Sequence, residues 1–473
     1  MNSEAIPRQH EFDDTVHDHV RGTTLLVGYE SDEPVSSVNR TSALYASRWP
    51  KSDDIGLDNG RRKMPYDMMS SANHLLLDGR ALLDADRLLQ MRMGDRRASF
   101  EIAFRATPSH TAFLVVAGVE SVIELLTLPL VEPDRVTAAQ NLVGFSEDLA
   151  NRLRSFTPKV DLDTVPDGTI VFPGAPVATV EGPFLEALLT ASLVRATLRR
   201  GTAIATRTCR LHMAAEGDQI IDGSSAQVTS PETSLLVARS AVIGGASATT
   251  NVLAAMTLGI PFRATSGIRL GDAGVSLEMT MESWGAADEE EMLDIGAGDD
   301  EEAVLLESKR RGRRAGGWLA RGLDDAEVRA LSMRCELVAL EQAGSWAAPP
   351  VGMSDEEKPR PGRKMVVRYS DGDGRLIADV VHLMAERMRS PKDIGAVTLT
   401  PLAVPRLREG RALEAPEAAN IGRERAIATR AVLPERVTYL RAPAAYRMEE
   451  SAGVIAQRGG AVRARERLTA LIS

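Results

Sequence analysis

Between residues 204 and 265 apolar runs of two lengths alternate, and this alternation restricts the fold more than any other feature of the chain. A run of helical length over residues 204–215 is closed by Gly217, and Ile220-Ile221-Asp222 has the length of a strand that passes into the polar loop Gly223-Ser224-Ser225. Residues 231–241 are again helical, Gly244-Gly245 opens a small-residue stretch over 246–251, and a helix over 252–258 precedes a strand over 260–265. Short strands separated by helices pack as parallel βαβ units, so the region reads as an α/β domain that can curl into a barrel.

The flanking sequence supplies the other layers. Leu75-Leu76-Leu77, Leu82-Leu83 and Leu88-Leu89 recur near helical spacing, and residues 97–105 alternate as a strand does. Phe113-Leu-Val-Val-Ala-Gly-Val-Glu runs into a helix ending near Pro129. Residues 161–180 hold short β-branched runs broken by Pro166-Asp167-Gly168 and Pro173-Gly174, the punctuation of tight antiparallel turns. A long helix over 184–199 follows, separate from the one over 204–215. Beyond the charged linker 349–361, residues 365–369 and 375–381 flank Asp371-Gly372-Asp373-Gly374, a β-hairpin signal, and residues 397–441 add at least one strand and one helix.

Charge and composition narrow the partners. The formal charge of -10 opposes a general attraction to nucleic-acid phosphates, so no nucleic acid is expected. Nine carboxylates over residues 288–302 lie close to Lys309-Arg310-Arg311 and Arg313-Arg314, and the two stretches are expected to solvate a loop or pair with one another. Cys209 and Cys335 form neither a disulfide framework nor a zinc motif, and His17-Asp18-His19, which would need a third or fourth ligand to hold a metal, is expected to be solvated. The polar, acidic start lacks an export signal, and no apolar run reaches bilayer length, so a cytoplasmic protein without membrane insertion is expected. Aromatic residues make up only 4%, which points to aliphatic cores; Tyr45, Trp49 and Tyr66 suit an arm that wraps another domain, a subunit or a protein partner.

Several motifs, in order, resemble the nicotinate phosphoribosyltransferases. They are Arg97-Ala-Ser-Phe-Glu, Phe113-Leu-Val-Val-Ala-Gly-Val-Glu, Val165-Pro-Asp-Gly-Thr-Ile-Val-Phe-Pro, Val180-Glu-Gly-Pro-Phe-Leu-Glu-Ala, Ile204-Ala-Thr-Arg, Ala241-Val-Ile-Gly-Gly-Ala-Ser-Ala-Thr-Thr-Asn and Pro361-Gly-Arg-Lys-Met-Val. The resemblance implies an α/β, type II phosphoribosyltransferase-like fold: an N-terminal α/β domain packed on an incomplete or distorted α/β barrel, with a C-terminal subdomain. The corresponding divisions are an N-terminal extension or arm over 1–74, the N-terminal domain over 75–200, a shortened barrel-like domain over 201–348, and a linker with the C-terminal subdomain over 349–473. It also implies a homodimer or larger assembly with sites near the interface. The family reaction joins nicotinate to phosphoribosyl pyrophosphate, with ATP hydrolysed through a phosphohistidine.

That chemistry needs fixed cations or amides for a carboxylate and a pyrophosphate, and several expected groups are missing. Arg80 stands where the family places a ring-stacking tyrosine, and the loop before the Phe113 run carries His110, a possible acid or base, in place of a glycine and an arginine. The paired arginines fall on Ser225 and Ala226, after Asp222 and Gly223. No histidine occurs between His212 and His382, which removes the phosphoacceptor. Polar residues retained for a residual pocket are Thr206, Arg207, Asp222, Ser225, Thr250, Asn251, Thr265, Ser266 and Arg269; the plain alternative is that these threonines and glycines only preserve turns and close helix packing.

Three functions follow. The favoured one is a non-catalytic or repurposed family member acting by binding or assembly, the arm docking on a partner. A rival is an active transferase using arginines such as Arg80, Arg105, Arg207 and Arg269, which alone would require phosphoribosyl pyrophosphate, ATP and magnesium. The third is a structural subunit of a larger complex.

Overall fold

The computed structural model describes residues 57–58, 61–62, 77–107, 111–128, 131, 133–226, 228, 230–264, 292–296, 301–323, 331–349 and 360–472. The chain splits into two compact units, Met1–Met64 and Pro65–Ser473. In the first, Leu57–Asp58 pairs antiparallel with Arg61–Arg62. The second unit carries the remaining described elements.

An antiparallel sheet of seven strands begins the second unit. Its order is Ser345–Ala347, Ser332–Gln342, Arg97–Ala106, Pro176–Pro183, Asp161–Thr164, Val404–Arg408 and Arg411–Ala412. The expected strand over 97–105 is present, yet its inner polar positions, Ser99 and Glu101, are buried too. Ser99 donates to Glu181 at 3.0 Å, and Glu101 meets Arg334 at 2.7 Å and Lys364 at 3.0 Å. Charge pairing therefore covers the face that alternation alone assigns to solvent. Burial pulls the Glu101 carboxyl upward, but Lys364 and Arg334 together hold it below its ordinary range.

Helix starts follow local chemistry. Asp78, Ser146, Ser230 and Asn251 each accept a backbone N–H as the N-cap of Gly79–Gln90, Glu147–Arg154, Pro231–Gly244 and Val252–Leu258. The two helices expected over 184–199 and 204–215 are instead one helix of 31 residues, Phe184–Ala214. Gly201, which invites a break, sits inside it because a Cβ there would lie 2.5 Å from the Ala117 carbonyl oxygen. Close approach, not flexibility, accounts for that glycine.

The long helix leads into a parallel sheet ordered Met292–Asp294, Gly317–Ala320, Ile220–Asp222, Ala248–Thr249, extended by a bridge from Thr249 to Phe262. The strand expected over 260–265 is reduced to that bridge among the described residues. Sequentially later strands lie beside the first one, which is the neighbour relation of a barrel, but no described pairing joins Phe262 to Met292–Asp294. The described part is thus a parallel α/β array without closure. Its helix-facing side packs Ile220, Leu293, Trp318 and Ala320, while Ile221, Ala248, Met292 and Leu319 cluster on the other face.

The hairpin signalled by Asp371-Gly372-Asp373-Gly374 is formed by Lys364–Ser370 and Leu376–Leu383, within a sheet completed by Thr398–Pro401 and Met448–Glu450. Among the described residues no helix is long and apolar enough to cross a membrane.

Candidate functional site

The carboxyl ends of the parallel strands are where such a sheet positions functional groups. Asp222 ends the first of these strands, and register places it on the helix-facing side with Ile220, opposite Ile221. Its carboxylate accepts from the Ser224 hydroxyl, from Ser224 N at 3.1 Å and from Thr249 Oγ1 at 2.7 Å. Burial raises its pKa, against the opposing pull of those donors. Asp222 therefore stitches two strand ends together.

The neighbouring expected residues do come together here. Ser225 Oγ and Thr250 Oγ1 are 3.3 Å apart, and Thr250 N donates to Asp222 O at 2.8 Å. Asn251 donates to Ser234 Oγ at 3.0 Å and accepts from Ala254 N at 3.1 Å, so its side chain caps a helix and ties it to the one before. The result is a neutral hydroxyl and amide cluster around one buried carboxylate.

The long helix contributes differently. Thr206 Oγ1 accepts from Val115 N at 3.0 Å, fixing the helix to the short strand Leu114–Val115. Arg207 donates to Glu301 at 3.0 Å, with side chains exposed by only 8% and 1%. Glu301 also accepts from Gly322 N at 2.7 Å; burial raises its pKa while Arg207 lowers it. One turn on, Arg210 forms a two-pronged pair with Glu302 at 2.7 and 2.8 Å. The expectation that residues 288–302 solvate a loop or pair with the basic run is therefore corrected at Glu301 and Glu302, which clamp the long helix; among the described residues Arg310 and Arg311 pair with Glu307, beyond that stretch.

On the face of Ile221 and Ala248, Asp294 and Arg321 lie two residues beyond Met292 and Leu319, hence on the same side, and pair at 3.0 Å. Gly223 shares that face: a Cβ there would meet the Leu319 side chain at 2.7 Å. Arg80 is on the exposed side of its helix, 4.0 Å from Asp84, and Arg105 is exposed near a strand end. His110, Thr265, Ser266 and Arg269 lie outside the described residues. No group of three or more His, Cys, Asp or Glu side chains suited to a metal occurs among the described residues.

The family model for the nicotinate phosphoribosyltransferase N-terminal domain matches residues 76–198. Two nicotinate phosphoribosyltransferases of Mycobacterium tuberculosis are similar: one 29% identical over 164 residues, 35% of each chain, the other 32% identical over 193 residues, 41% of this chain and 42% of the relative. Residues 76–198 belong to the N-terminal domain of the nicotinate phosphoribosyltransferase family. A solved human nicotinic acid phosphoribosyltransferase shares the fold with TM-score 0.65 at 17% identity, covering 81% of this chain and 100% of that one. A nicotinate-nucleotide pyrophosphorylase from Pyrococcus furiosus does so at 0.51 and 16%, covering 79% and 98%.

The matches to the curated relatives span well under half of those relatives' length. The family model ends at residue 198, before every strand-end group just described. Sequence reasoning missed Glu301, Asp294 and Arg321 as members of this region. Arg207 and Arg210 sit one helical turn apart and Glu301 and Glu302 are adjacent, but the pairs span more than 90 residues and only folding shows which cation meets which carboxylate.

Proposed function

We propose that this member of the nicotinate phosphoribosyltransferase family acts by binding or assembly and does not transfer phosphoribosyl groups. The observation that carries the reading is the buried Arg207–Glu301 pair. Phosphoribosyl pyrophosphate presents several negative charges, and transfer requires donors held ready for them. Here the retained arginine is already answered by an internal carboxylate, and the positions of the family's paired arginines hold Ser225 and Ala226. Releasing Arg207 to a substrate would leave Glu301 buried and uncompensated, a cost of about 3–5 kcal/mol. Asp294 likewise neutralises Arg321 on the opposite face of the sheet.

The test is turnover. Purified chain incubated with nicotinate, phosphoribosyl pyrophosphate, ATP and magnesium is expected to give no nicotinate mononucleotide above a protein-free control. Sustained mononucleotide formation by the intact chain defeats the proposal and restores the transferase reading.

A further inference from the structure

At the opposite end of the parallel strands a second group of polar side chains has the reverse electrostatic character. The long helix ends at Ala214 before the strand Ile220–Asp222, and the helix Pro231–Gly244 ends before Ala248–Thr249, so their last turns lie at the amino ends of those strands. His212 stands in this junction, close enough to Gly245 that a Cβ there would meet its ring at 2.9 Å. The helix Ala419–Ala431 packs alongside and brings two arginines two helical turns apart, Arg423 and Arg430. Arg430 Nη1 is 3.2 Å from His212 Nδ1 and 3.8 Å from Cys209 Sγ, and the buried Nε of Arg423 has no hydrogen-bond partner.

The contrast with the other half-buried and buried arginines is what gives this cluster meaning. Arg207, Arg210, Arg334, Arg368 and Arg406 each meet a carboxylate. Among the described residues, none stands within ion-pair distance of Arg423 or Arg430, in a chain of net charge -10. Glu302, which reaches the long helix two residues before His212, is held by Arg210. Two guanidinium groups on one helix face, one of them 3.2 Å from the imidazole, set up a positive field that an anion would answer. A phosphate group carries a charge of roughly -1.5 to -2 near neutral pH and offers three acceptor oxygens, matching two arginines and a ring nitrogen.

We propose that His212, Arg423 and Arg430 form a phosphate-binding site at the amino ends of the parallel strands, distinct from the strand-end cluster around Asp222. The site does not depend on whether the chain transfers phosphoribosyl groups. Burial first, then Arg430 and Arg423, depress the His212 pKa to about 4, so the ring itself reports occupancy. A bound dianion stabilises the imidazolium and moves that pKa back toward 6.5.

The experiment follows the His212 ring proton by NMR across pH, assigned with His212→Gln, while inorganic phosphate, ribose 5-phosphate or chloride of matched ionic strength is added to the full chain. A saturable rise with either phosphate compound and none with chloride is expected; a tighter midpoint for ribose 5-phosphate assigns a phosphomonoester as occupant, and an equal or weaker one assigns free phosphate. Arg423→Gln and Arg430→Gln should each weaken the phosphate midpoint roughly tenfold. Each should also raise the phosphate-free pKa of His212, which shows that the variant is folded with the missing charge facing the ring. An unmoved His212, or equal responses to phosphate and chloride, overturns the proposal.

Discussion

Arg207 and Glu301 show how much one buried pair can decide. Each is enclosed, and each is a poor substitute for an apolar residue unless the other is present. Arg207→Met should therefore cost about 3–5 kcal/mol at pH 7, read from urea unfolding, because Glu301 loses its counter-charge. The pH dependence identifies the cause. Burial already raises the Glu301 pKa above its ordinary value, and removing Arg207 removes the largest opposing influence. A carboxyl with a raised folded-state pKa contributes stability below its unfolded value that is lost as pH rises through the folded one, so the deficit of Arg207→Met should shrink on acidification from pH 7 toward 4.5. A deficit that stays constant over that range would assign the loss to packing.

Among the elements, the helix Phe184–Ala214 is the most informative. It joins the antiparallel sheet to the parallel one, and its middle passes so near the chain at Ala117 that only hydrogen fits at position 201. Helix propensity favours alanine over glycine by about 0.5–1 kcal/mol, yet overpacking against a carbonyl costs more. Gly201→Ala is expected to lower the melting temperature by several degrees, with an unchanged or higher melting temperature refuting the close contact. Thr202 and Thr206, whose hydroxyls accept from Ala117 N and Val115 N, bind the same face of the helix to the same segment.

Across the whole molecule, late sequence completes early structure. Val404–Arg408 adds to the sheet edge at Asp161–Thr164, Lys364 meets Glu101, and Arg406 pairs at 2.5 Å with Glu120, 286 residues earlier. A chain ending at residue 349 would expose a strand edge and leave Glu120, whose pKa burial already raises, without its arginine. Its urea unfolding should lose the single cooperative transition of the full chain, with association visible by sedimentation. A sharp transition at the full-length midpoint would show that the C-terminal part is an independent appendage.

Local signals of strand, turn and cap were sufficient to read most elements over residues 79–128 and 161–258, apart from the break placed in the long helix, and the hairpin around Asp371-Gly372-Asp373-Gly374, because those signals act over a few residues; the helices Pro133–Val143 and Glu147–Arg154 were not read. That Ser225 and Ala226 carry no charge and that no histidine lies between His212 and His382 was equally legible, since absence of a side chain needs no coordinates. The continuity of the long helix, the enclosure of Asp222, the neutralisation of Arg207 and the meeting of Arg430 with His212 were decided by tertiary structure alone. Charges separated by 90 to more than 200 residues acquire their partners only when packing brings them within a few ångströms, and their electrostatic energy falls away with distance and with solvent.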